Sequence, residues 1–496
     1  MSSANGTGLA RVPTGIPGLD TILGGGFLQG GVYIVQGTPG TGKTTLANQV
    51  VFNHAARGGQ ALYVTLLAED HGRMMQHLGG MSFFDPSRIP DQVSYLNGFG
   101  ILREGGYPAL RDMLRREVAA HRATVLILDG FATAQRKASE EQDFNEFVHE
   151  MQAIAVATDC MMLLLSSAAG VKQTPEYTIV DGIVELSDQL LGWSSESTLQ
   201  VIKLRGTGCL RGRHAFRITG DGLVVYPRIE ALLARPSRLE PEATETVPSG
   251  VDRLDAMLGG GLPAASITMV MGPSGVGKTT LGLQFLSHCG AGEPGLLFVF
   301  YETPGRLRVK ADRVCRPLGA LLDGGAVEVL WQPPTDGLLD AYGERLLENV
   351  RRRGVRRLLI DGLGAFQSAA VEPVRLNQYL TALMNELRAL GVTTVYTLAV
   401  PDMTGPYIRE PARDLTVPSD NLVLMRYVEM GARLHRVISV LKVRNSDFDP
   451  SLYEYVTTGQ GLQIEGTLAG ADVAMSNIQD RADGARSQEP AARRGG

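Results

Sequence analysis

The chain of 496 residues has little cysteine and no long hydrophobic run. The four cysteines form neither a C-x-x-C pair nor the spacing of a metal site, and they are Cys160, Cys209, Cys289 and Cys315. Such scatter argues against a disulfide framework and is typical of a reduced cytosolic protein. No apolar run approaches the ~18 residues that would cross a bilayer, and the first residues lack the pattern of a signal peptide. We therefore expect a soluble, cytoplasmic protein with no membrane association.

An excess of positive charge is also missing. Lysine and arginine together number 47 and aspartate and glutamate 52, which leaves a net charge of −5. Because nucleic-acid-binding domains usually present a basic surface, we do not expect DNA or RNA as a partner. The densest basic cluster, at 351–357, lies at a predicted helix end, where cations complement the helix dipole. The length exceeds what one hydrophobic core usually organises, so we expect two or three domains.

The motif G-x-x-x-x-G-K-[ST] occurs twice. Its first copy with the following residue is Gly37, Thr38, Pro39, Gly40, Thr41, Gly42, Lys43, Thr44 and Thr45, and its second is Gly272, Pro273, Ser274, Gly275, Val276, Gly277, Lys278, Thr279 and Thr280. Glycines let backbone N–H groups curl around a polyphosphate, the lysine neutralises its outer phosphates, and the threonine after the lysine ligates Mg²⁺. Each copy follows an apolar segment and opens a helical pattern. The sequence therefore predicts two nucleotide sites, with Thr44 and Thr279 as Mg²⁺ ligands.

The repetition extends well beyond the phosphate loops. Segments 12–20 and 23–27 have counterparts 235 residues later, at 247–255 and 258–262. Downstream, short apolar runs end in Asp129 and Asp361, the pattern of a buried parallel strand with an acid at its carboxyl end. Such an acid commonly anchors Mg²⁺ beside a phosphate loop. We predict an α/β fold with two tandem P-loop domains, each a mostly parallel, doubly wound sheet with a β-rich carboxyl-terminal end.

The composition also suggests where the domains begin and end. Residues 234–246 are rich in proline and charge and poor in large apolar side chains, so they are predicted to be a linker. We expect the first domain at 11–233 and the second at 247–465. A flexible amino terminus is expected at 1–10, and a disordered tail at 466–496, where apolar periodicity ends.

Hydrolysis also requires an acid that orients or deprotonates water. In RecA-like sheets this acid follows the strand after the phosphate-loop helix. The second half offers Glu302 after the apolar segment 296–301, and the first half offers Glu69 after the segment 61–68. Both are candidate catalytic acids, and both are also compatible with a solvated acid at a strand tip.

The paired openings T-G-[IV]-x-x-L-D (with Ser249 for Thr in the second), the two phosphate loops and two K-[LV]-R-x-[ST] segments make the chain resemble the KaiC family of tandem RecA-like ATPases. The resemblance covers about 11–465. It implies a homo-oligomeric ring, a hexamer, with ATP held between neighbouring subunits. It further implies that catalytic cations reach the γ-phosphate of the adjacent subunit, and these are Lys203, Arg205, Lys442 and Arg444. A regulatory protein partner and a signalling role follow from the same resemblance.

Two departures from the family pattern bear on catalysis. KaiC-like strands usually end in two adjacent glutamates, whereas the corresponding residues here are Leu67-Ala68 and Tyr301-Glu302. First-domain hydrolysis would therefore depend on Glu69 in a shifted position. The family's adjacent Ser-Thr phosphorylation pair corresponds to Thr416-Val417, which keeps one acceptor.

Three alternatives to a ring ATPase remain open. The second domain could be a Ser/Thr autokinase with Thr416 or Ser419 as the acceptor. The chain could instead be a nucleotide-gated scaffold with little turnover, which the poorly matched acid of the first half favours. A relative of DNA recombinases is the third alternative, and the acidic balance argues against it.

Overall fold

The computed structural model describes residues 10–67, 71–130, 141–167, 176–240, 245–335, 337–400, 418–430, 433–444 and 446–467. The chain divides into two compact units between Leu232 and Leu233. Glu69 and Thr416 lie outside the described residues, as do 1–9 and 468–496, where terminal disorder was predicted.

The first unit is built on a nine-stranded sheet. Its strands, with the small β1–β2 pair that precedes them, are β1 Arg11–Val12, β2 Phe27–Leu28, β3 Val32–Gln36, β4 Ala61–Thr65, β5 Val93–Asn97, β6 Val125–Asp129, β7 Met161–Ser166, β8 Gly182–Leu191, β9 Ser194–Leu204, β10 Arg213–Thr219 and β11 Gly222–Tyr226. The order across the sheet is β11-β10-β9-β8-β3-β7-β6-β4-β5. Strands β8, β3, β7, β6, β4 and β5 are parallel, and β8 to β11 form antiparallel hairpins.

Helices cover both faces of this sheet. They are α1 Leu19–Ile22, α2 Lys43–Ala56, α3 His71–Leu78, α4 Phe99–His121, α5 Glu141–Thr158, α6 Glu176–Ile179 and α7 Ile229–Leu232. Tyr33 and Val35 pack in one apolar cluster with residues of α2, whereas Val32 and Ile34 pack in a second cluster with residues of α4 and α5. Alternate residues of β3 therefore face opposite, covered sides, which explains the continuous apolar runs of the sequence.

The second unit repeats this architecture. Its strands are β12 Thr246–Val247, β13 Leu262–Pro263, β14 Ile267–Gly272, β15 Gly295–Val299, β16 Val327–Trp331, β17 Arg357–Asp361, β18 Thr393–Ala399, β19 Asn421–Met430, β20 Arg433–Lys442, β21 Tyr453–Thr458 and β22 Gly461–Thr467. Its helices are α8 Asp252–Met257, α9 Lys278–Leu286, α10 Pro304–Val314, α11 Arg316–Asp323, α12 Leu339–Arg353, α13 Gly364–Ala369 and α14 Pro373–Ala389. The large sheet runs β16-β15-β17-β18-β14-β19-β20-β21-β22, which is the order of the first unit strand for strand.

This topology confirms the predicted fold class, two tandem α/β domains with mostly parallel sheets and β-rich ends. In each unit one strand separates the phosphate-loop strand from the strand that ends in aspartate: β7 lies between β3 and β6, and β18 between β14 and β17. Since these strands are parallel, the loop and the aspartate meet at the carboxyl edge of the sheet, where α/β folds bind ligands. No helix among the described residues is long and apolar enough to cross a membrane.

Candidate nucleotide sites

The backbone of both phosphate loops forms a concave turn that requires glycine. Gly40 and Gly42 have φ angles of 89° and 93°, and Gly275 and Gly277 have 79° and 115°. Residues with a Cβ avoid this left-handed region, whereas glycine adopts it freely. Successive N–H groups can then point into one concavity, the arrangement that binds phosphate.

The first glycine of each motif is required for a different reason. A Cβ on Gly37 would clash with the Leu186 carbonyl oxygen, and one on Gly272 would clash with that of Met425. Both carbonyls belong to the strand beside the loop strand, β8 or β19. The sheet itself therefore excludes a side chain where the loop leaves it.

Each motif lysine opens a helix and folds back over its loop. Lys43 Nζ donates to the carbonyl oxygens of Gly37 and Thr38, at 2.7 and 2.9 Å. Lys278 Nζ donates to those of Gly272 and Pro273, at 2.7 Å each. Burial lowers the pKa of both lysines, and the strand-end aspartates partly oppose that shift. The ammonium groups are thus placed over the concavity that a polyphosphate would enter.

The other loop residues line the site or brace it. In the second unit a cavity of about 570 Å³ is lined by loop and helix residues that include Ser274, Gly275, Gly277, Lys278, Thr279 and Thr280. Val276 is instead buried, and its carbonyl oxygen accepts a hydrogen bond from Tyr455. In the first loop, the hydroxyl of Thr41 donates to the Thr38 carbonyl at 2.9 Å.

The predicted metal ligands come together in both units. Thr44 Oγ1 lies 3.3 Å from Asp129 Oδ2, and Thr279 Oγ1 lies 2.9 Å from Asp361 Oδ2. A hydroxyl and a carboxylate are hard oxygen ligands and suit Mg²⁺, which normally completes its shell with phosphate and water. Burial raises the pKa of Asp129, although hydrogen bonds from Tyr63 and Thr44 lower it in part.

Sequence reasoning missed the residues that hold these two aspartates. Tyr63 donates its hydroxyl to Asp129 Oδ2 at 2.7 Å. Thr397 donates to Asp361 Oδ1 at 2.6 Å and accepts the Gly362 N–H at 2.9 Å. The only signal in the sequence is a polar side chain within an apolar strand, which is too common to single out either residue.

Glu302 lies at the second site, three residues beyond the end of β15. It lines the same cavity as Lys278, Thr279 and Asp361. Its Oε1 forms an ion pair with Lys310 Nζ at 2.8 Å, and 34% of its side chain is exposed. The carboxylate is therefore beside the loop and accessible to water, with a cation attached to it.

By the sequence, the residue of the first half that corresponds to Glu302 is an alanine, Ala68, which lies outside the described residues. Thr65 pairs with Asp129 as Val299 pairs with Asp361, so Glu302 corresponds by residue count to Ala68. A cavity of about 280 Å³ lies beside Thr44 and Asp129, and its lining includes the α3 side chains His71, Arg73 and His77. Asp129 is the only carboxylate among the described residues that line it.

The predicted catalytic cations and the phosphate loop lie at opposite ends of the parallel strands in each unit. Lys203 pairs with Ile183 at the start of β8, and Lys442 pairs with Leu422 at the start of β19. Both positions are therefore near the amino ends of the parallel strands. A five-residue strand spans about 16 Å, so neither lysine lies beside the loop of its own unit.

Nearby groups orient these cations. Lys203 Nζ donates to the Thr178 carbonyl at 3.0 Å, and Arg205 donates to that of Ile179 at 3.1 Å. Lys442 Nζ donates to the Ser419 carbonyl at 2.7 Å, and Arg444 lies 3.3 Å from Asp420 Oδ1.

Ser419, one of the two candidate phosphate acceptors, is at this same end of the strands. It is buried, and its hydroxyl forms a short hydrogen bond with that of Tyr396. The hydroxyl is therefore engaged in the core and turned away from solvent. Thr416, the other candidate acceptor, lies outside the described residues.

Comparison with known proteins gives one consistent result. The profile of the family described as "ATPase: KaiC" matches residues 12–230 and again residues 247–468. The circadian clock oscillator protein KaiC of Parathermosynechococcus lividus is 24% identical over 96% of this chain and 89% of its own length. The proteins of the same name from Picosynechococcus sp. and Thermostichus vulcanus are each 26% identical, over 97% and 94% of this chain and 95% and 92% of their own lengths. Since the two matches cover most of the sequence, the chain belongs to the KaiC family of ATPases.

Proposed function

We propose that the protein binds ATP with Mg²⁺ at two sites per chain and hydrolyses it, chiefly at the second site. The observation that carries this proposal is the duplicated geometry of lysine, threonine and strand-end aspartate around a glycine loop. Two sites with the same hydrogen-bonding plan indicate one ligand class, a nucleoside triphosphate.

Each residue has a role that its chemistry suits. Lys43 and Lys278 neutralise the outer phosphates from above the loop. Thr44 or Thr279 would ligate Mg²⁺, and Asp129 or Asp361 would help to hold the ion beside them. The ion would neutralise charge on the outer phosphates. In the second site Glu302 orients and deprotonates the attacking water, and Lys310 holds the carboxylate in place.

The first site is proposed to bind nucleotide with little turnover. In the sequence Ala68 corresponds to Glu302, and besides Asp129 the described cavity wall offers imidazole and guanidinium groups but no further carboxylate. Any hydrolysis there would depend on Glu69. The first half is therefore proposed to act as a nucleotide-gated scaffold, whereas the second half hydrolyses ATP.

Neighbouring subunits are proposed to complete each site in a ring, as the family resemblance implies for a hexamer. The position of Lys203 and Lys442 supports this arrangement, because each lies a full strand length from the loop of its own unit. Cations at the amino ends of the strands would contact the γ-phosphate of the nucleotide bound by an adjacent copy. Because nucleotide would then bridge two copies, its binding would stabilise the assembly by mass action.

The biological role is proposed to be regulatory, exerted on a protein partner through the nucleotide state of the ring. The relatives reported above are named for a circadian clock. An autokinase activity of the second domain receives less support, because Ser419 is buried and Val417 replaces one acceptor of the family pair.

Counting bound nucleotide on lysine variants tests this proposal. Lys43→Ala and Lys278→Ala should each retain one equivalent of a non-hydrolysable ATP analogue with Mg²⁺, and the double variant none. Arg57→Ala is the control, because it removes a cation just beyond the end of α2. Two equivalents retained in either single variant would disprove the site assignment.

A further inference from the structure

The strand-end aspartate of the first site is held by a buried tyrosine. Tyr63 is fully buried in β4, and its hydroxyl donates to Asp129 Oδ2 at 2.7 Å. The same oxygen accepts the Thr44 hydroxyl at 3.3 Å. One carboxylate oxygen is therefore shared by the candidate Mg²⁺ ligand and by a group of the core.

A second buried polar residue bonds the backbone of Thr44, one turn away in the same helix. Asn48 is fully buried in α2, and its Nδ2 donates to the Thr44 carbonyl at 2.8 Å. Its Oδ1 accepts the Tyr95 hydroxyl at 2.7 Å. The rings of Tyr63 and Tyr95 have centroids 5.3 Å apart. We call Tyr63, Asn48 and Tyr95 the anchoring network.

The anchoring network also contacts α3, the helix that walls the cavity. The rings of His71 and Tyr95 contact each other in a T-shaped arrangement, with centroids 5.6 Å apart. Met74 Sδ lies 3.7 Å from Asn48 Nδ2. The groups that position Thr44 and Asp129 are therefore in contact with the helix that carries His71, Arg73 and His77 into the cavity.

Among the described residues of the second unit, the positions that correspond to this network carry apolar side chains. By strand register and the common offset, its three positions are occupied by Leu297, Leu283 and Val329. Asp361 is held instead by Thr397, from the strand on its other side. Buried polar groups in an apolar core are costly unless they are bonded, so a network confined to one copy of a duplicated site points to a role specific to that copy.

We propose that Tyr63 is a positioning residue of the first site: its hydroxyl fixes Asp129, and the anchoring network ties Asp129 and Thr44 to α3. The proposal rests on nucleotide binding at the first site and names how that site is regulated. Partners of metal-ligating groups typically contribute 10- to 100-fold to metal affinity. Displacement of α3 would disturb the network and with it the affinity of the first site for Mg²⁺.

The Mg²⁺ dependence of nucleotide binding tests the proposal. The full chain carrying Lys278→Ala isolates the first site, and binding of a non-hydrolysable ATP analogue is followed by calorimetry as Mg²⁺ is varied. Tyr63→Phe keeps the ring and removes only the hydroxyl. We expect the apparent Kd for Mg²⁺ to rise about tenfold, while binding of the analogue in EDTA is unchanged. Tyr95→Phe should raise it less, because it acts through Asn48.

The matched control is Tyr33→Phe. Tyr33 is a fully buried tyrosine of the same sheet, and its hydroxyl accepts the Leu28 N–H at 2.9 Å, away from Thr44 and Asp129. This variant should leave the Mg²⁺ dependence unchanged.

Three results would overturn the proposal. They are an unchanged Mg²⁺ dependence in Tyr63→Phe, an equal loss of binding with and without Mg²⁺, and an equal effect of Tyr33→Phe. If the Lys278→Ala parent itself binds no nucleotide, the proposed function of the first site fails instead, and the two failures are thus distinguished. Amide exchange of α3 on adding Mg²⁺ and the analogue should fall in the parent and fall less in Tyr63→Phe.

Discussion

The two halves of the chain share one sheet order and one phosphate-loop geometry, yet their sites differ just beyond the loop. The second site has Glu302 in its cavity, paired with Lys310. In the sequence of the first half the corresponding residue is Ala68, and the side chains of His71, Arg73 and His77 line the cavity of that site. The residues proposed to bind phosphate are of the same types in both copies, whereas the residues proposed to activate water differ.

The two strand-end aspartates show a second difference of the same kind. Asp129 is held by Tyr63, from β4, and Asp361 by Thr397, from β18. A carboxylate between two parallel strands can be held from either side, so each copy has reached the same position with a different neighbour. The two copies therefore place the aspartate alike while differing in the side chain that bonds it.

The largest expected effect concerns the cations proposed to act between subunits. Arg444→Ala should lower hydrolysis at the second site by ~10³–10⁵, the effect typical of a residue that stabilises charge on a transferring phosphoryl group. Arg205→Ala should change total phosphate release little, because we expect little turnover at the first site. Phosphate release from each variant at saturating ATP measures the difference.

Mixed assemblies show whether Arg444 acts on a neighbour. Chains with Arg444→Ala keep an intact loop, and chains with Lys278→Ala keep an intact Arg444. Some interfaces in the mixture should therefore regain both groups and recover activity. If the mixture is no more active than either variant alone, the cations do not act between subunits.

The next largest effect should distinguish the two sites by their acids. In a Lys43→Ala background, Glu302→Gln should lower the hydrolysis rate by ~10²–10⁴ and leave ATP bound, because the amide cannot accept the proton of water. Lys310→Gln is the matched variant, since it breaks the same ion pair and spares the carboxylate. Equal rates for the two variants would show that Glu302 serves only as an ion-pair partner.

A smaller effect is expected when the missing acid is restored. In a Lys278→Ala background, Ala68→Glu should raise first-site hydrolysis by about 10²-fold, the lower end of the usual contribution of a positioned acid or base. Glu69→Gln in the same background measures any contribution of the native acid. Ala68→Gln is the control for size, and a gain with glutamine as large as with glutamate would contradict the comparison.

Much of the site could be predicted from the sequence because its chemistry is local. The glycines, lysine and threonine of a phosphate loop are adjacent in the chain, and the backbone angles that they adopt depend on few neighbours. The apolar runs that end in Asp129 and Asp361 were informative for the same reason, since a strand buried on both faces is a continuous pattern. The duplication reinforced the signal of the phosphate loops, because chance matches do not recur at one offset together with their flanking segments.

Other features depend on contacts between distant segments. Tyr63 contacts Asp129 across 66 residues of sequence, and Thr397 contacts Asp361 across 36. Only the parallel register decides that these side chains meet. The register agrees with the alignment of Glu302 and Ala68 made from the sequence, because Val299 pairs with Asp361 as Thr65 pairs with Asp129.

The sequence by itself therefore determined the family, the fold class, the duplication and the two phosphate loops, all of which follow from short-range patterns repeated along the chain. The tertiary structure alone decided which hydroxyl holds each aspartate and that Ser419 is engaged in the core. It also decided that Lys203 and Lys442 lie at the amino ends of the parallel strands, away from the phosphate loops of their own units. The physical reason is that hydrogen bonds and burial depend on distances in space, and only the assembled sheet fixes those distances.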